Sequence, residues 1–242
     1  MESAFGLSVP PGWLTAGHDG YVVHIDRQRQ SPLAFALSVA AGLDSRPRRL
    51  DASYLYDAVG SELFERITEQ PEYYLTRVED RMLATHAARI REVAGPGALV
   101  ELGSGTSTKT RRLLDAWTAA GPAAYAPIDV DVHSIEQACA GLRSRYPQLS
   151  IHGLAATYEA ALAVLRRWSP MTVAFLGSSL GNLGWREYPD FCATVADALA
   201  PGDHFLVGLD LVKAPEILEA AYNDAAGVTA AFTRNLFARM NR

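Results

Sequence analysis

An apolar run followed by two closely spaced glycines is the part of the sequence with the clearest chemical meaning. Ala98–Leu102 contains one acid, Glu101, and is followed by Gly103 and Gly105, with Lys109 four residues further on. The pattern predicts a buried strand that ends abruptly, turns and opens a helix. Glycines at such a turn let the backbone approach a ligand with no Cβ in between. The run indicates an S-adenosylmethionine site, and the simpler interpretation is an ordinary glycine-rich turn.

Acids at the end of the next apolar run favour nucleoside binding. Thr108 stands where the third glycine of a dinucleotide fingerprint would be, which argues against a dinucleotide. Asp129 lies about 25 residues after the glycine turn, a spacing at which an acid commonly accepts hydrogen bonds from a ribose diol. Asp131 has a simpler role, as the N-cap of a helix that begins near His133.

Composition limits the class of protein. The 242 residues are 49% hydrophobic and carry a net charge of −5, enough for a packed core and unlike a nucleic-acid-binding chain. No apolar run is long enough to span a membrane, and the first residues do not resemble a secretory signal. The six histidines lack metal-ligand spacing. Cys139 and Cys192 are interpreted as packing residues in a reducing compartment, so we expect a cytoplasmic protein without a metal site.

Strand and helix patterns alternate from residue 98 onward. This alternation predicts an α/β fold with a doubly wound parallel sheet. We expect a helical lobe over 1–95, the cofactor-binding core over 96–225 and a helical tail over 226–242. The predicted strands are Ala98–Leu102, Tyr125–Val130, Leu149–Leu154, Met171–Leu176 and His204–Leu209. The predicted helices lie near Pro32–Leu43 and at Ser61–Ile67, Ser107–Ala119, His133–Arg145, Tyr158–Trp168, Arg186–Leu199 and Glu216–Asp224.

Three further clusters carry polar groups that suit ligand binding. Pro71–Arg77 contains two adjacent tyrosines ahead of a helix. Phe175–Leu183 begins at the end of a predicted strand and contains two glycines and the amide of Asn182. Tyr222–Gly227 closes a predicted helix. Each cluster alone has a simpler interpretation, as a packing loop, a capped helix start or a helix end.

Taken in order along the chain, these segments resemble the histidine Nα-methyltransferase family of ergothioneine biosynthesis. The resemblance runs from about residue 54 to the end and is loose before residue 50. It implies a methyltransferase of the Rossmann-like class that transfers up to three methyl groups from S-adenosylmethionine to the α-amine of free histidine. The segments that carry it are Tyr56–Phe64, Pro71–Arg77, Glu101–Lys109, Asp129–Asp131, Phe175–Asn182, and Asp210–Lys213 continuing to Asn235.

The resemblance also implies roles for individual residues. Asn182 and Tyr222 are expected to act at the amine and carboxylate of the amino acid, and we class them as catalytic. The residues expected to bind the amino acid are Tyr56, Gly177, Asn182 and Tyr222. Those expected to bind the cofactor are Tyr73, Gly103, Gly105, Lys109, Asp129, Thr157 and Tyr158.

Two departures from the family pattern leave alternatives open. Thr157 stands where the family has the acid that holds the adenine amino group, and a hydroxyl accepts a weaker hydrogen bond. The sequence also stops at Arg242, before the part that supplies the Glu and Ser that contact the imidazole ring. The alternatives are an N-methyltransferase for another amino acid, or a cofactor-binding subunit that needs a partner.

The last residues suggest an assembly. Val228, Ala231, Phe232, Leu236 and Met240 are spaced for one apolar helix face within Val228–Arg242. We expect nothing else in the chain to cover this face, and the last strand leaves one sheet edge unpaired. A homodimer, or a partner chain that completes the fold, is therefore predicted.

Overall fold

A computed structural model describes residues 7–27, 31–166 and 168–241 and shows one seven-stranded sheet with helices against it. The strands are β1 (Trp13–His18), β2 (Tyr21–Asp26), β3 (Ala98–Leu102), β4 (Ala124–Asp129), β5 (Ser150–Ala155), β6 (Met171–Phe175) and β7 (His204–Val207). The helices are α1 (Pro32–Asp44), α2 (Ala58–Thr68), α3 (Tyr74–Ala94), α4 (Arg111–Ala119), α5 (Val132–Arg145), α6 (Tyr158–Leu165), α7 (Glu187–Ala198), α8 (Pro215–Tyr222) and α9 (Val228–Met240). Short 3-10 helices span Ala52–Leu55 and Ser179–Asn182.

The strand order places a crevice at one edge of the sheet. The order is β1-β2-β5-β4-β3-β6-β7, with β1 antiparallel to β2 and the remaining pairs parallel. The chain moves outward from β3 through β4 to β5, then returns to place β6 on the other side of β3. Ligands of open α/β sheets bind where the strand order reverses in this way, here beyond the carboxyl ends of β3 and β6. The predicted doubly wound, Rossmann-like fold is confirmed.

The five predicted strands are found within one or two residues of their predicted bounds. Their apolar runs were informative because the strands are covered on both faces; all five residues of β3 and of β6 are buried. The helix predicted at Ser107–Ala119 instead begins at Arg111, because positive φ angles at Gly103, Gly105 and Ser107 prolong the turn.

The expectation of a purely helical segment over 1–95 is incomplete. Trp13–His18 and Tyr21–Asp26 form a hairpin, and β2 pairs in parallel with β5, so the hairpin extends the sheet. Asp19-Gly20 supplies the turn, with Gly20 at a φ of 85°, and Asp-Gly between two strands is a strong hairpin signal. The division at residues 95 and 225 stays a prediction.

The prediction that the C-terminal helix has no cover within the chain is wrong. Val228, Phe232 and Leu236 of α9 are buried, and α9 packs on α2 and on the 3-10 helix at Ala52–Leu55. Asn235 donates to Asp57 Oδ1 at 2.7 Å and so ties α9 to the N-cap of α2. Arg242 lies outside the described residues. Within the described ranges β7 pairs only with β6, so an assembly through its outer edge stays a prediction.

No helix in the described part of the chain is both long enough and apolar enough to cross a bilayer.

Replacing Phe232 tests the packing of α9. Phe232 is 8% exposed in the α2–α9 contact, whereas Phe237, on the same helix, is 53% exposed. We expect Phe232→Ala to lower the free energy of unfolding by about 3 kcal/mol, because it leaves a cavity. Phe237→Ala is the matched control and should change it by less than about 0.5 kcal/mol. Urea unfolding measures both, and equal effects would contradict the described packing.

Two buried histidines join the hairpin to the parallel sheet. The rings of His24 on β2 and His152 on β5 are stacked with centroids 6.1 Å apart. His24 Nδ1 faces the Thr15 hydroxyl at 3.1 Å, and His152 Nε2 faces the Ser150 hydroxyl at 3.3 Å. Burial lowers the pKa of His152 to about 4 and also lowers that of His24. The folded state therefore favours neutral imidazoles at both positions.

These pKa shifts predict an acid-side loss of stability. The unfolded chain takes up protons below the ordinary histidine pKa of about 6.5, so stability present above that pH is lost as pH falls towards 4. His152→Phe should reduce this loss by about 2 kcal/mol between those limits. His86→Phe, on the exposed face of α3, is the control and should leave the pH profile unchanged. Parallel urea titrations of all three proteins measure the difference, and superimposable profiles for His152→Phe and the parent would contradict the prediction.

Candidate active site

One buried carboxylate fixes the turn that follows β3. Glu101 Oε2 accepts hydrogen bonds from the hydroxyls of Thr110 and Tyr125, each at 2.5 Å. The Tyr125 hydroxyl also lies 2.9 Å from Ser107 Oγ. Burial raises the pKa of Glu101 to about 7, while the two hydroxyl donors oppose that rise. The end of β3, the middle of the turn and the start of α4 are thus bonded to one another.

The turn also bonds to the end of β4. The backbone N–H groups of Gly103 and Ser104 both donate to Ile128 O, at 2.8 and 3.0 Å. Gly105 N–H donates to Asp129 Oδ2 at 3.0 Å, and Asp131 N–H donates to Asp129 Oδ1 at 3.1 Å. Each carboxylate oxygen retains acceptor capacity for a further donor such as a ribose hydroxyl. Burial raises the pKa of Asp129 despite these N–H bonds.

Asp131 has the capping role that the sequence predicts for it. Its carboxylate accepts from His133 N–H at 3.2 Å and from Ser134 Oγ at 2.7 Å. It is therefore the N-cap of α5, whereas Asp129, the last residue of β4, bonds to the glycine turn.

A cleft of about 1450 Å³ opens beside this turn, at the carboxyl edge of the sheet. Typical pockets for one small ligand measure about 300–1,000 Å³, so the cleft has room for two small molecules. Tyr56 and Asn182 lie in its wall together with the turn. The acids among the described lining residues are Asp51, Glu62, Glu65, Asp129, Glu159, Glu187 and Asp190, and the only Lys or Arg among them is Arg49. The side chains that line the cleft therefore carry a net negative charge.

Tyr158 and Thr157 form the part of the wall nearest Gly103. A Cβ built on Gly103 would lie 2.9 Å from the Tyr158 hydroxyl, so a side chain at position 103 would fill the space between them. Gly103 also has a φ of 70°. Thr157 is the N-cap of α6 and accepts from Ala160 N–H at 3.3 Å. The Thr157 hydroxyl therefore already accepts one hydrogen bond within the chain. Tyr158 and Asp129 border the part of the cleft that fits an adenosine cofactor.

A second group of predicted residues lies next to the cleft rather than in its wall. The buried ring of Tyr73 meets the exposed ring of Tyr222 edge to face, with centroids 5.9 Å apart. Lys109 Nζ lies 2.5 Å from Glu79 Oε2, beside Gly177. The predicted residues therefore divide into two neighbouring sets: Tyr56, Gly103, Gly105, Asp129, Thr157, Tyr158 and Asn182 line the cleft, and Tyr73, Lys109, Gly177 and Tyr222 do not.

Tyr56 connects the two sets. Its ring packs edge to face on Phe64 and Phe232, with centroids 5.6 and 5.4 Å away. Burial raises the pKa of Tyr56 to about 12, with further contributions from the nearby Asp129 and Tyr222. The phenol therefore remains protonated at neutral pH and acts as a hydrogen-bond donor rather than as a base.

Several polar residues to which the sequence analysis gave no individual role surround the site. Glu65 Oε1 accepts from Thr106 Oγ1 at 3.1 Å, directly over the glycine turn. The Tyr74 hydroxyl and Lys213 Nζ both donate to the carboxylate of Asp210. Asp210 N–H in turn donates to Ser178 Oγ at 3.1 Å. The Pro71–Arg77 and Asp210–Lys213 segments are among those that carry the family resemblance, but no contact between them was predicted, and no local pattern pointed to Glu65.

Comparison with known proteins identifies the family. Residues 35–242 match the family described as histidine-specific methyltransferase, SAM-dependent. A histidine N-alpha-methyltransferase of Mycolicibacterium smegmatis is 46% identical over 86% of this chain, and one of Mycobacterium tuberculosis is 40% identical over 87%. An ergothioneine biosynthesis protein 1 of Neurospora crassa is 36% identical over 78% of the chain and 22% of its own length. The chain spans 65% and 66% of the length of the two mycobacterial relatives. The match covers most of the chain, and the chain belongs to the family of S-adenosylmethionine-dependent, histidine-specific methyltransferases.

Proposed function

We propose that the chain transfers methyl groups from S-adenosylmethionine to the α-amine of a free amino acid, and that the amino acid is L-histidine in an ergothioneine-type pathway. The observation that carries the proposal is the meeting of two turns at the point where the strand order reverses. The Gly103 turn follows β3 and the Gly177 turn follows the adjacent strand β6. Membership of the family supports the same reaction and the same substrate.

The cofactor would be held mainly by the β3 side of the crevice. Asp129 is proposed to accept hydrogen bonds from the ribose hydroxyls, with Thr157 and Tyr158 near the base. Gly103 and Gly105 let the backbone approach the amino-acid part, and Lys109 supplies an ammonium for its carboxylate. Tyr73 is assigned to the same end. The seven carboxylates of the cleft support the proposal, because they attract a sulfonium cation.

The amino acid would lie towards β6 and α8. Tyr56, Gly177, Asn182 and Tyr222 are proposed to bind it, with Asn182 and Tyr222 at the amine and carboxylate. Two observations support this assignment. Gly177 and Asn182 come directly after β6 in the chain, and the ring of Tyr222 packs on that of Tyr73 at the start of α3. The tyrosine faces tolerate a methylated ammonium through cation–π attraction.

The proposed reaction requires a correctly oriented amine nitrogen more than it requires a strong base. When bound, S-adenosylmethionine supplies an electrophilic methyl group, which a neutral amine takes by in-line displacement. Asn182 and Tyr222 would align the amine nitrogen, and the aromatic wall of Tyr56 and Phe64 would exclude water. Tyr56 keeps its own proton at neutral pH and so is not the group that accepts the proton of the amine. We propose that this proton passes to solvent after the methyl group has been transferred.

We further propose that the protein acts in the cytoplasm and that two copies, or a copy and a partner chain, associate through the outer edge of β7. The two free cysteines, Cys139 and Cys192, support the reducing compartment. The edge of β7 supports the association, because proteins pair or cover such edges.

Binding of the demethylated cofactor tests the assignment of Asp129. Asp129→Ala should raise the dissociation constant for S-adenosylhomocysteine by at least tenfold, because hydrogen bonds to a charged carboxylate contribute about 1.5–3 kcal/mol. Lys109→Ala should lose less, since the N–H groups of the turn still face the carboxylate. Isothermal titration calorimetry measures both.

Asp131→Ala is the matched control. It removes the cap of α5 and should cost about 1 kcal/mol of stability, yet leave the dissociation constant within twofold. If Asp129→Ala binds as tightly as the parent, the cofactor assignment is wrong.

Mass spectrometry with histidine and S-adenosylmethionine tests the substrate. We expect products heavier by one, two and three methyl groups, all on the α-nitrogen. Tyr222→Phe should raise the KM for histidine more than it lowers kcat, because it removes ground-state binding. Transfer to a ring nitrogen, a protein or a nucleic acid would refute the proposal.

The same assay separates the alternatives. Methylation of a different amino acid in a panel would identify an N-methyltransferase of other substrate choice. Cofactor binding without any methyl transfer would identify a cofactor-binding subunit.

A further inference from the structure

The carboxylate of Glu79, on α3, contacts the turns after both β3 and β6. Its Oε2 lies 2.5 Å from Lys109 Nζ, and its Oε1 accepts the N–H of Gly177 at 2.7 Å. The Glu79 and Lys109 side chains are 15% and 25% exposed, so this is a partly buried ion pair. Screening by water is weaker there than for a surface pair.

The turn after β7 also packs against this carboxylate. A Cβ built on Gly208 would lie 2.3 Å from Glu79 Oε1, so no larger residue fits at position 208 without displacing the glutamate. Gly208 N–H donates to Phe175 O at 2.9 Å, which fixes the end of β7 against β6. One side chain from the N-terminal segment therefore meets the ends of three neighbouring strands.

The ion pair determines where the Lys109 ammonium lies. Nζ is 3.5 Å from the position that a Cβ on Gly177 would occupy, between the turn that follows β3 and the turn that follows β6. A lysine has four flexible side-chain bonds and would otherwise sample many positions. The ammonium has three N–H donors, so a contact with Glu79 leaves donors for a second carboxylate.

We propose that Glu79 is a positioning residue that holds the Lys109 ammonium for the carboxylate of the cofactor. The inference rests on the proposed function, since it assumes that the cofactor carboxylate binds at Lys109. When no ligand is bound, the Glu79 carboxylate also lowers the free-energy cost of keeping the Lys109 ammonium partly buried. The same carboxylate also accepts the hydrogen bond from Gly177 N–H, which links α3 to the turn proposed to face the amino acid.

Glu79→Gln separates the charge from the hydrogen bond. The amide oxygen still accepts the Gly177 N–H, but the anionic partner of Lys109 is lost. We expect the dissociation constant for S-adenosylhomocysteine to rise about threefold, by no more than Lys109→Ala raises it, with the KM for the amino acid nearly unchanged. Asp80→Asn is the matched control: it removes the next carboxylate on α3, which pairs with Arg112 on α4 at a more exposed position. It should leave cofactor binding within twofold.

A double-mutant cycle distinguishes positioning from general support of the fold. In a Lys109→Met background, Glu79→Gln should have no further effect on the dissociation constant, because Glu79 acts through Lys109. Glu79→Asp, which is too short for both contacts, should bind as weakly as Glu79→Gln. Circular dichroism and melting curves check that each variant folds.

The outcomes separate this inference from the proposed function. A parent that does not bind S-adenosylhomocysteine overturns both. A parent that binds, with Glu79→Gln binding equally or more tightly, overturns only the role of Glu79. Additive losses in the cycle also overturn it, since they would show that Glu79 acts independently of Lys109. Methylation of an amino acid other than histidine, with the cycle behaving as expected, supports the role of Glu79 while changing the substrate.

Discussion

The site depends on the hydrogen bonds that converge on the Glu101 carboxylate. Thr110 and Tyr125 donate to it from the start of α4 and from β4, and Ser107 lies against Tyr125. A buried carboxylate is costly unless donors compensate it, so these residues are coupled, and losing either donor would destabilise the arrangement. With its ends held, the segment between them keeps three residues at positive φ and turns its N–H groups towards β4 and Asp129.

The second organising element is α3, the longest helix in the described part of the chain. It begins beside the paired rings of Tyr73 and Tyr222, and its second turn brings Glu79 to Lys109. Its hydrophobic side contributes Leu83 and Ala87 to the core beneath the sheet. The helix is therefore anchored by packing along its length while its first two turns present polar groups to the crevice. This combination allows residues distant in sequence to share one site.

The parallel strands could be predicted because their local sequence reflects their environment: a strand covered on both faces is apolar throughout, as β3 and β6 are. The hairpin was missed because β1 has no buried residue, so only its Asp-Gly turn gave a signal. The turn was placed correctly, but the start of α4 was not, since positive φ at Ser107 is not implied by its residue type. Contacts over long separations were beyond local patterns: Glu79 meets partners 30 and 98 residues away. The cover of α9 comes from α2, which the amphipathic pattern of α9 does not reveal.

The charge of the cleft has a consequence for turnover. The proposed methyl transfer would convert the sulfonium of the cofactor into a neutral thioether, so the cofactor would lose the positive charge that the seven carboxylates attract before the reaction. Electrostatic attraction then acts on the reactant cofactor and not on its product, which favours exchange of one for the other after each cycle. Added salt weakens this discrimination, because ions screen a solvent-filled cleft within a Debye length of about 8–10 Å. Under the proposed function, product inhibition would grow with ionic strength, and the acidic residues of the cleft would influence how quickly the product leaves although they take no part in the chemical step.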